Sequence, residues 1–283
     1  MAKQRWKRLT VSLLSRERMQ IALSPHHVAM VRVAGWKKPR VLDRKRLSCA
    51  ASDAQPAWSA ALEALREMLR QPNPAPVLPT SVILSNHFVR YLVLPWSADL
   101  VTQSEELEFA RARFAQVFGD KARQWVIRTS SAPVRLERLA AATDAALIEA
   151  LADTLKTAGL ALASCQPALM AQFNASLRRI GDNAWLVSAE HGRLLIAWIE
   201  TGRWRSVRLR PLSNSVVQLR DVLDQERVLV SGPETPSNIF VSTADDVVID
   251  TQGLRTEQLA PRGRIRPGTP VDTAYALAMA GLP

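Results

Sequence analysis

Two stretches of this chain share one plan. IALSPHHVAMVRVAGW (21–36) and WLVSAEHGRLLIAWIETGRW (185–204) each read as an apolar strand, a Ser-led polar bend, an apolar return, then Gly and Trp before a basic strand. With Ser24 set against Ser188 the copies lie 188 − 24 = 164 residues apart. A repeated antiparallel meander, followed each time by helix and strand signals, marks a duplicated α/β unit.

The rest of the chain is read by periodicity and punctuation. Helices are expected over PAWSAALEALREMLRQ (56–71), DLVTQSEELEFARARFAQVFG (99–119), AALIEALADTLKTAG (145–159, with Asp144 as N-cap), PALMAQFNASLRRIG (167–181) and PVDTAYALAMAGL (270–282). SVILS (81–85), FVRYLVLPW (88–96), RQWVIRTS (123–130), RLAAAT (138–143), LALASCQ (160–166) and RVLVSG (227–232) are expected strands. SNSVVQLRDVLDQ (213–225) reads as a short helix, and the sequence after RVLVSG as loop with DVVID (246–250) as a strand. This divides the chain into a basic amphipathic segment (1–19), a first lobe (20–165) with an inserted subdomain (about 86–142), and a shortened second lobe (166–283) ending in a helix.

Charge is concentrated at one end. Of 37 Lys/Arg and 26 Asp/Glu, residues 1–46 hold 13 and 2, a net of +11, which leaves 24 of each sign in the remainder. The surface that meets anions therefore lies at the N-terminal edge. Lys3, Arg5, Trp6, Lys7 and Arg8 are its membrane-surface candidates, since Lys and Arg gain on the order of 1 kcal/mol each beside an anionic bilayer and Trp suits the interface. A solvated tail and a nucleic-acid grip are the other readings. The zero net charge of the body and the lack of an accompanying stacking-aromatic set argue against nucleic acid.

Most catalytic signatures do not appear. GRIRPGTP (263–270) has P-loop glycine spacing but Thr269 where lysine is needed, and no G-x-S-x-G elbow or dinucleotide fingerprint occurs. His26 and His27 are adjacent on an expected strand end and so point to opposite faces, which disfavours a shared metal unless Glu190 and His191 join them. No metal is expected. Glu190 reads as a solvated hairpin carboxylate rather than a catalytic base. Cys49 and Cys165 fit no ligand spacing and are expected as free thiols in a reducing cytoplasm.

The paired meanders, the LP after the second strand pair (Leu94–Pro95) and the ending PVDTAYALAMAGLP resemble the PilM family of actin-like proteins, with the MshI and GspL groups among its relatives. In that family a basic tip, here KRLTVSLLSRER (7–18), precedes a first strand of the form GIDIGS, here QIALSPHH (20–27). A second phosphate hairpin like LVDIGA is here LVSAEH (186–191), and the last helix, like VALGLAL, is here YALAMAGL (275–282). The resemblance implies a duplicated actin-like ATPase fold with a reduced second lobe. It also implies a scaffold role in a type IV pilus or type II secretion-like machine, peripheral at the inner face of the cytoplasmic membrane. Its partners would be the tail of a PilN-like single-span membrane protein and a motor ATPase. The tail would lie beside Phe88, Tyr91, Leu94 and Trp96.

Nucleotide chemistry, by contrast, is expected to be lost. Backbone grips phosphate closely only where glycine leaves room. The first bend has Ser24, Pro25 and His26, the second has Ser188, Glu190 and His191 without an aspartate, and the third candidate has Gly232 followed by Pro233. No ATP or magnesium is therefore expected, and no hydrolysis. An active actin-like ATPase is the alternative those positions argue against.

Overall fold

The two meanders pair as the sequence requires and set the frame for everything else. The computed structural model describes residues 17–35, 39–50, 56–70, 77–100, 102–130, 135–213, 215–230, 238–243, 247–259, 273–280 and 282. Its first lobe contains β1 (Glu17–Leu23), β2 (His27–Ala34), β3 (Arg40–Ser48), α1 (Ser59–Leu69) and β4 (Pro79–Leu84). There follow β5 (Arg90–Leu94), α2 (Gln103–Phe118), β6 (Trp125–Thr129), β7 (Arg138–Asp144), α3 (Ala145–Thr157), β8 (Ala161–Pro167) and α4 (Ala168–Ile180). The second lobe contains β9 (Ala184–Glu190), β10 (Arg193–Glu200), β11 (Arg203–Pro211), β12 (Val216–Gln218), α5 (Leu219–Leu229), β13 (Ile239–Thr243), β14 (Val248–Asp250) and β15 (Thr256–Gln258). The last element is α6 (Thr273–Met279).

The two main sheets have the same order, β3-β2-β1-β4-β8 and β11-β10-β9-β13-β15. In each, an antiparallel three-strand meander is extended by two parallel strands. The strand orders make the duplication visible without reference to sequence. Leu23 faces Val28 across the first bend and Ala189 faces Leu194 across the second, so the copies lie 189 − 23 = 166 residues apart. The sequence alignment on Ser24 and Ser188 is thus two residues off, and Glu190 is the true counterpart of Ser24. A slip of two preserves which face each side chain takes, so apolar alternation could not detect it.

Both faces of each sheet are covered. Leu186, Leu195, Ala197 and Phe240 face α4, with Phe173 packed 4.8 Å from Trp204. Trp185, Val187, Ile196 and Trp198 face α5, and the two indoles sit opposite each other in the β9–β10 register, 5.2 Å apart. Of the first sheet, Met19, Ile21 and Leu23 join the core with α1 and α3, whereas Ala29, Val31 and Val33 pack on Ala278, Met279 and Leu282. The C-terminal helix α6 therefore belongs structurally to the first sheet, although the sequence division placed it in the second lobe. Its apolar residues are needed there because that face has no other cover in the described residues apart from the edge supplied by α4.

The inserted subdomain is a sheet of order β5-β7-β6 carrying α2. Thr102 and Glu105 form a reciprocal capping box, and Gly119 ends α2 at φ +74°, a conformation glycine adopts without a Cβ penalty.

Four local expectations fail. The described part of RVLVSG, 227–230, is not a strand: α5 continues through Leu229, because Leu219 and Leu223 seat it on the second sheet and Glu226 ties it to β11. VVQ, expected as helix, forms β12 and pairs with β14. The strand that joins β9 is instead β13, from a stretch read as loop. β1 also begins at Glu17, inside the segment assigned to the basic tip. Replacing Trp198 with alanine should lower unfolding stability by about 3–5 kcal/mol. Urea denaturation measures it, and a loss below about 1 kcal/mol would mean that the indole pair does not hold the sheet to α5.

Candidate interlobe site

A cleft of about 370 Å³ opens where the bends of the two lobes face each other. All four histidines of the chain line it: His26 and His27 from the first bend, His191 from the second, and His87 from the turn after β4. Sequence reasoning paired His26 with His27, raised His191 as a neighbour, and did not single out His87. The fold brings them together because the parallel β4 ends beside β1 and the β9–β10 bend meets it from the other lobe. The His26 ring lies 4.5 Å from His191 and 5.8 Å from His87. Among the described residues no group of three or more metal-ligating side chains is arranged to hold an ion.

The first bend is closed upon itself. Ser24 Oγ donates to the His27 carbonyl at 2.8 Å and accepts from the His27 amide at 3.1 Å. Its own N–H also reaches the His27 carbonyl, at 3.1 Å. Pro25 offers no N–H at all. The Ser24 hydroxyl and N–H and the His27 N–H are thus spent internally, and Pro25 has none to direct at a phosphate.

The second bend holds a buried carboxylate, not a solvated one. Glu190 is 7% exposed, because the bend is pressed against the turn after β4 rather than against water. It accepts the Asn86 N–H at 3.0 Å and the Asn86 side-chain amide at 2.7 Å on one oxygen, and the Ser85 hydroxyl on the other. Asn86 in turn accepts the Tyr91 hydroxyl at 2.8 Å. Burial pushes the Glu190 carboxyl above its usual range, and the bonds from Ser85 and Asn86 oppose that shift. The bond set crosses between lobes and is a structural latch. Gly192, at φ +71°, completes the turn beside it.

His87 closes the same seam. Its Nε2 lies 2.9 Å from the His191 carbonyl, which as an acceptor requires the Nε2–H tautomer. Burial, then the positive charge of Arg193, with His26 and Arg90 adding to it, lowers its pKa from 6.5 to about 4, against the opposing pull of the His191 carbonyl.

The other expected residues fall in varied places. Ser188 is in β9, not in the bend, and lines the cleft with Ser242 and Thr243 at the end of β13. Gly232 and the membrane-surface candidates Lys3, Arg5, Trp6, Lys7 and Arg8 lie outside the described residues. Phe88, Tyr91 and Leu94 are 8%, 5% and 5% exposed and belong to the core, so they offer no partner surface; only Trp96, at 39%, reaches solvent. The apolar residues of a short subdomain strand are consumed in packing it. Cys49 and Cys165 are free, their thiols pushed by burial to about 11 and about 12. Ser85, Asn86 and Arg193 escaped sequence reasoning, since a polar pair after a strand signals only a turn.

An actin-like fold implies a metal-bound nucleotide in this cleft, and the described residues do not fit one. The carboxylate that lines the cleft is Glu190, and its oxygens are already taken.

No protein-family model matches the chain, and no curated protein matches it in sequence. Solved structures do. The chain is similar to the PilM–PilN type IV pilus biogenesis complex, with a TM-score of 0.62 at 10% identity over 93% of this chain and 96% of that one. The cytoplasmic domain of EpsL, an inner membrane component of the type II secretion system of Vibrio cholerae, gives 0.55 at 12% identity over 86% and 89%. A Bacteroides thetaiotaomicron protein of actin-like ATPase fold gives 0.52 at 9% identity over 85% and 93%.

Two predictions follow from the seam. Glu190→Ala should cost about 2–4 kcal/mol by leaving the Asn86 donors without an acceptor, and Glu190→Gln should cost less; equal stabilities in urea would contradict the latch. For His87, protonation favours the unfolded chain. The stability it contributes is complete above pH 6.5 and lost as pH falls to about 4, on the order of 3 kcal/mol. His87→Gln should therefore flatten the acid limb of the stability curve in that window, and an unchanged limb would count against it. With its two shared five-stranded sheets and these neighbours, the chain has the duplicated actin-like fold.

Proposed function

We propose that this chain is a cytoplasmic scaffold of a type IV pilus or type II secretion-like machine, and that it recognises the extended tail of a single-span inner-membrane protein instead of turning over nucleotide. The observation that carries this reading is an apolar groove of about 280 Å³ between the subdomain and the first lobe. Val126 and Arg128 of β6, Ala141 of β7, and Leu162, Ala163 and Ser164 of β8 line it. Both β6 and β8 end their sheets, so each has a main-chain edge without a strand partner in the described sheets. An extended peptide recognises such a place through edge hydrogen bonds, with alternate side chains in apolar pockets.

Similarity to a complex of PilM with PilN, and to the cytoplasmic domain of an inner membrane secretion component, supports a tail as the occupant. The closed first bend and the engaged Glu190 support loss of magnesium-nucleotide binding and of ATPase activity. Among the described residues no helix is long and apolar enough to cross a membrane; in this reading the basic N-terminal edge rests on anionic lipid, and a motor ATPase is a further partner.

Calorimetry tests the reading. A synthetic cytoplasmic tail from a single-span protein encoded beside this chain should bind, and Ala163→Trp, at an exposed position of β8, should weaken it at least tenfold. Millimolar Mg-ATP should not be hydrolysed. Tail binding that ignores Ala163→Trp, or magnesium-dependent ATP hydrolysis, would overturn it.

A further inference from the structure

A second groove, separate from the histidine cleft and from the tail groove, carries a charge pattern that neither uses. It runs along the free edge of β11 where β5 and the end of α2 approach it, and has a volume of about 470 Å³. Four of its lining residues are arginines: Arg90 of β5, Arg193 at the start of β10, and Arg208 and Arg210 of β11. Tyr91 and Phe118 form part of the wall, and no acidic residue lines it.

The neighbouring carboxylates do not neutralise the set. Glu226 of α5 is fully buried behind β11, 3.3 Å from Arg208 and 2.5 Å from Arg210, and supplies one negative charge to two guanidinium groups. Arg90 is held by the carbonyls of His87 and Val89, each at 3.0 Å, which orient it without cancelling its charge. Arg193 makes no ion pair among the described residues, and its buried Nε has no hydrogen-bond partner. Glu190 lies near enough to feel Arg193 but is committed to Ser85 and Asn86. With Glu190 counted beside Glu226, four cations stand against two carboxylates, a local charge of +2.

Like charges gathered on three strands repel, and burial of an unpartnered guanidinium nitrogen adds a desolvation cost. An oxyanion relieves both. The planar guanidinium fork matches phosphate oxygens in pairs, which an ammonium or an imidazole does not. We propose that this arginine groove binds a phosphate-class oxyanion without a metal ion. Arg193 shares a sheet face with Leu195, whereas Arg208 and Arg210 share the opposite face with Ile196 and Leu194 and are held by Glu226 and Gln225 of α5. A ligand with more than one phosphate group is therefore the one that reaches arginines on both sides of the β11 edge, with Tyr91 and Phe118 in the wall. The proposal stands independently of the tail groove.

Titration of the full chain with inorganic pyrophosphate, in low salt with chelator present, tests it by calorimetry. Arg193→Gln should weaken binding by about tenfold or more, the loss expected for one charge-assisted contact. The paired variant Arg208→Gln/Glu226→Gln keeps the buried charge balanced and should weaken binding similarly, so the test survives if one variant folds poorly. His26→Ala, in the separate cleft, should leave affinity within about twofold. Absence of binding by the unsubstituted chain would overturn the proposal. So would affinity unchanged in both arginine variants, or affinity lost with His26→Ala alone.

Discussion

The carboxylate of Glu190 is the interaction on which the arrangement of the lobes depends. A charge removed from water costs several kcal/mol unless donors replace its hydration. Here the replacement comes from the opposite lobe, through the Ser85 hydroxyl and both Asn86 donors. Separating the lobes would expose that network to water, and pulling either partner away alone would leave buried polar groups unpaired. In actin-like folds a ligand between the lobes bears on how they close; here the protein supplies a contact of its own at that seam.

This changes what the cleft is for. The first bend turns its hydroxyl and carbonyl inward, and the second gives its acid to the latch. What remains in the cleft lining is imidazole, hydroxyl, amide, the Arg46 side chain and the apolar Ala189, Ala276 and Leu277. In the proposed reading recognition is served elsewhere, by the apolar groove between β6 and β8 and the arginine groove beside β11. One sits on the subdomain's junction with the first lobe and the other on its junction with the second. The inserted subdomain thus makes both grooves, by standing between the two sheets without closing against either completely.

Much of the fold was legible in the chain. The duplicated meander, α1 to α4 with the Gly119 end of α2 and the Asp144 cap of α3, and the α/β class all follow from periodicity and punctuation, because those signals act within a turn or two of backbone. The errors lie where a local signal was silent or ambiguous. RVLVSG has strand-like residues, yet α5 runs through its first half because packing on the second sheet and the buried Glu226 outweigh propensity. The two-residue slip between copies kept every side chain on its expected face and so left no trace in the pattern. Phe88, Tyr91 and Leu94 looked available because apolar residues announce burial without saying against what.

By itself the sequence determined the repeat, the helices and their caps, the excess of cations near the N-terminus, and the poverty of the bends in glycine and aspartate. Only the tertiary structure decided that four histidines share one cleft, that Glu190 is buried against Ser85 and Asn86, that α6 covers the first sheet, and that four arginines from three strands line one groove. The physical reason is range. Propensity, capping and periodicity are set by neighbours along the chain, whereas burial and charge pairing join residues far apart, 105 positions for Ser85 and Glu190 and 278 − 33 = 245 for Ala278 and Val33. Those distances are closed by the parallel strand pairings of the two sheets, which no local pattern encodes.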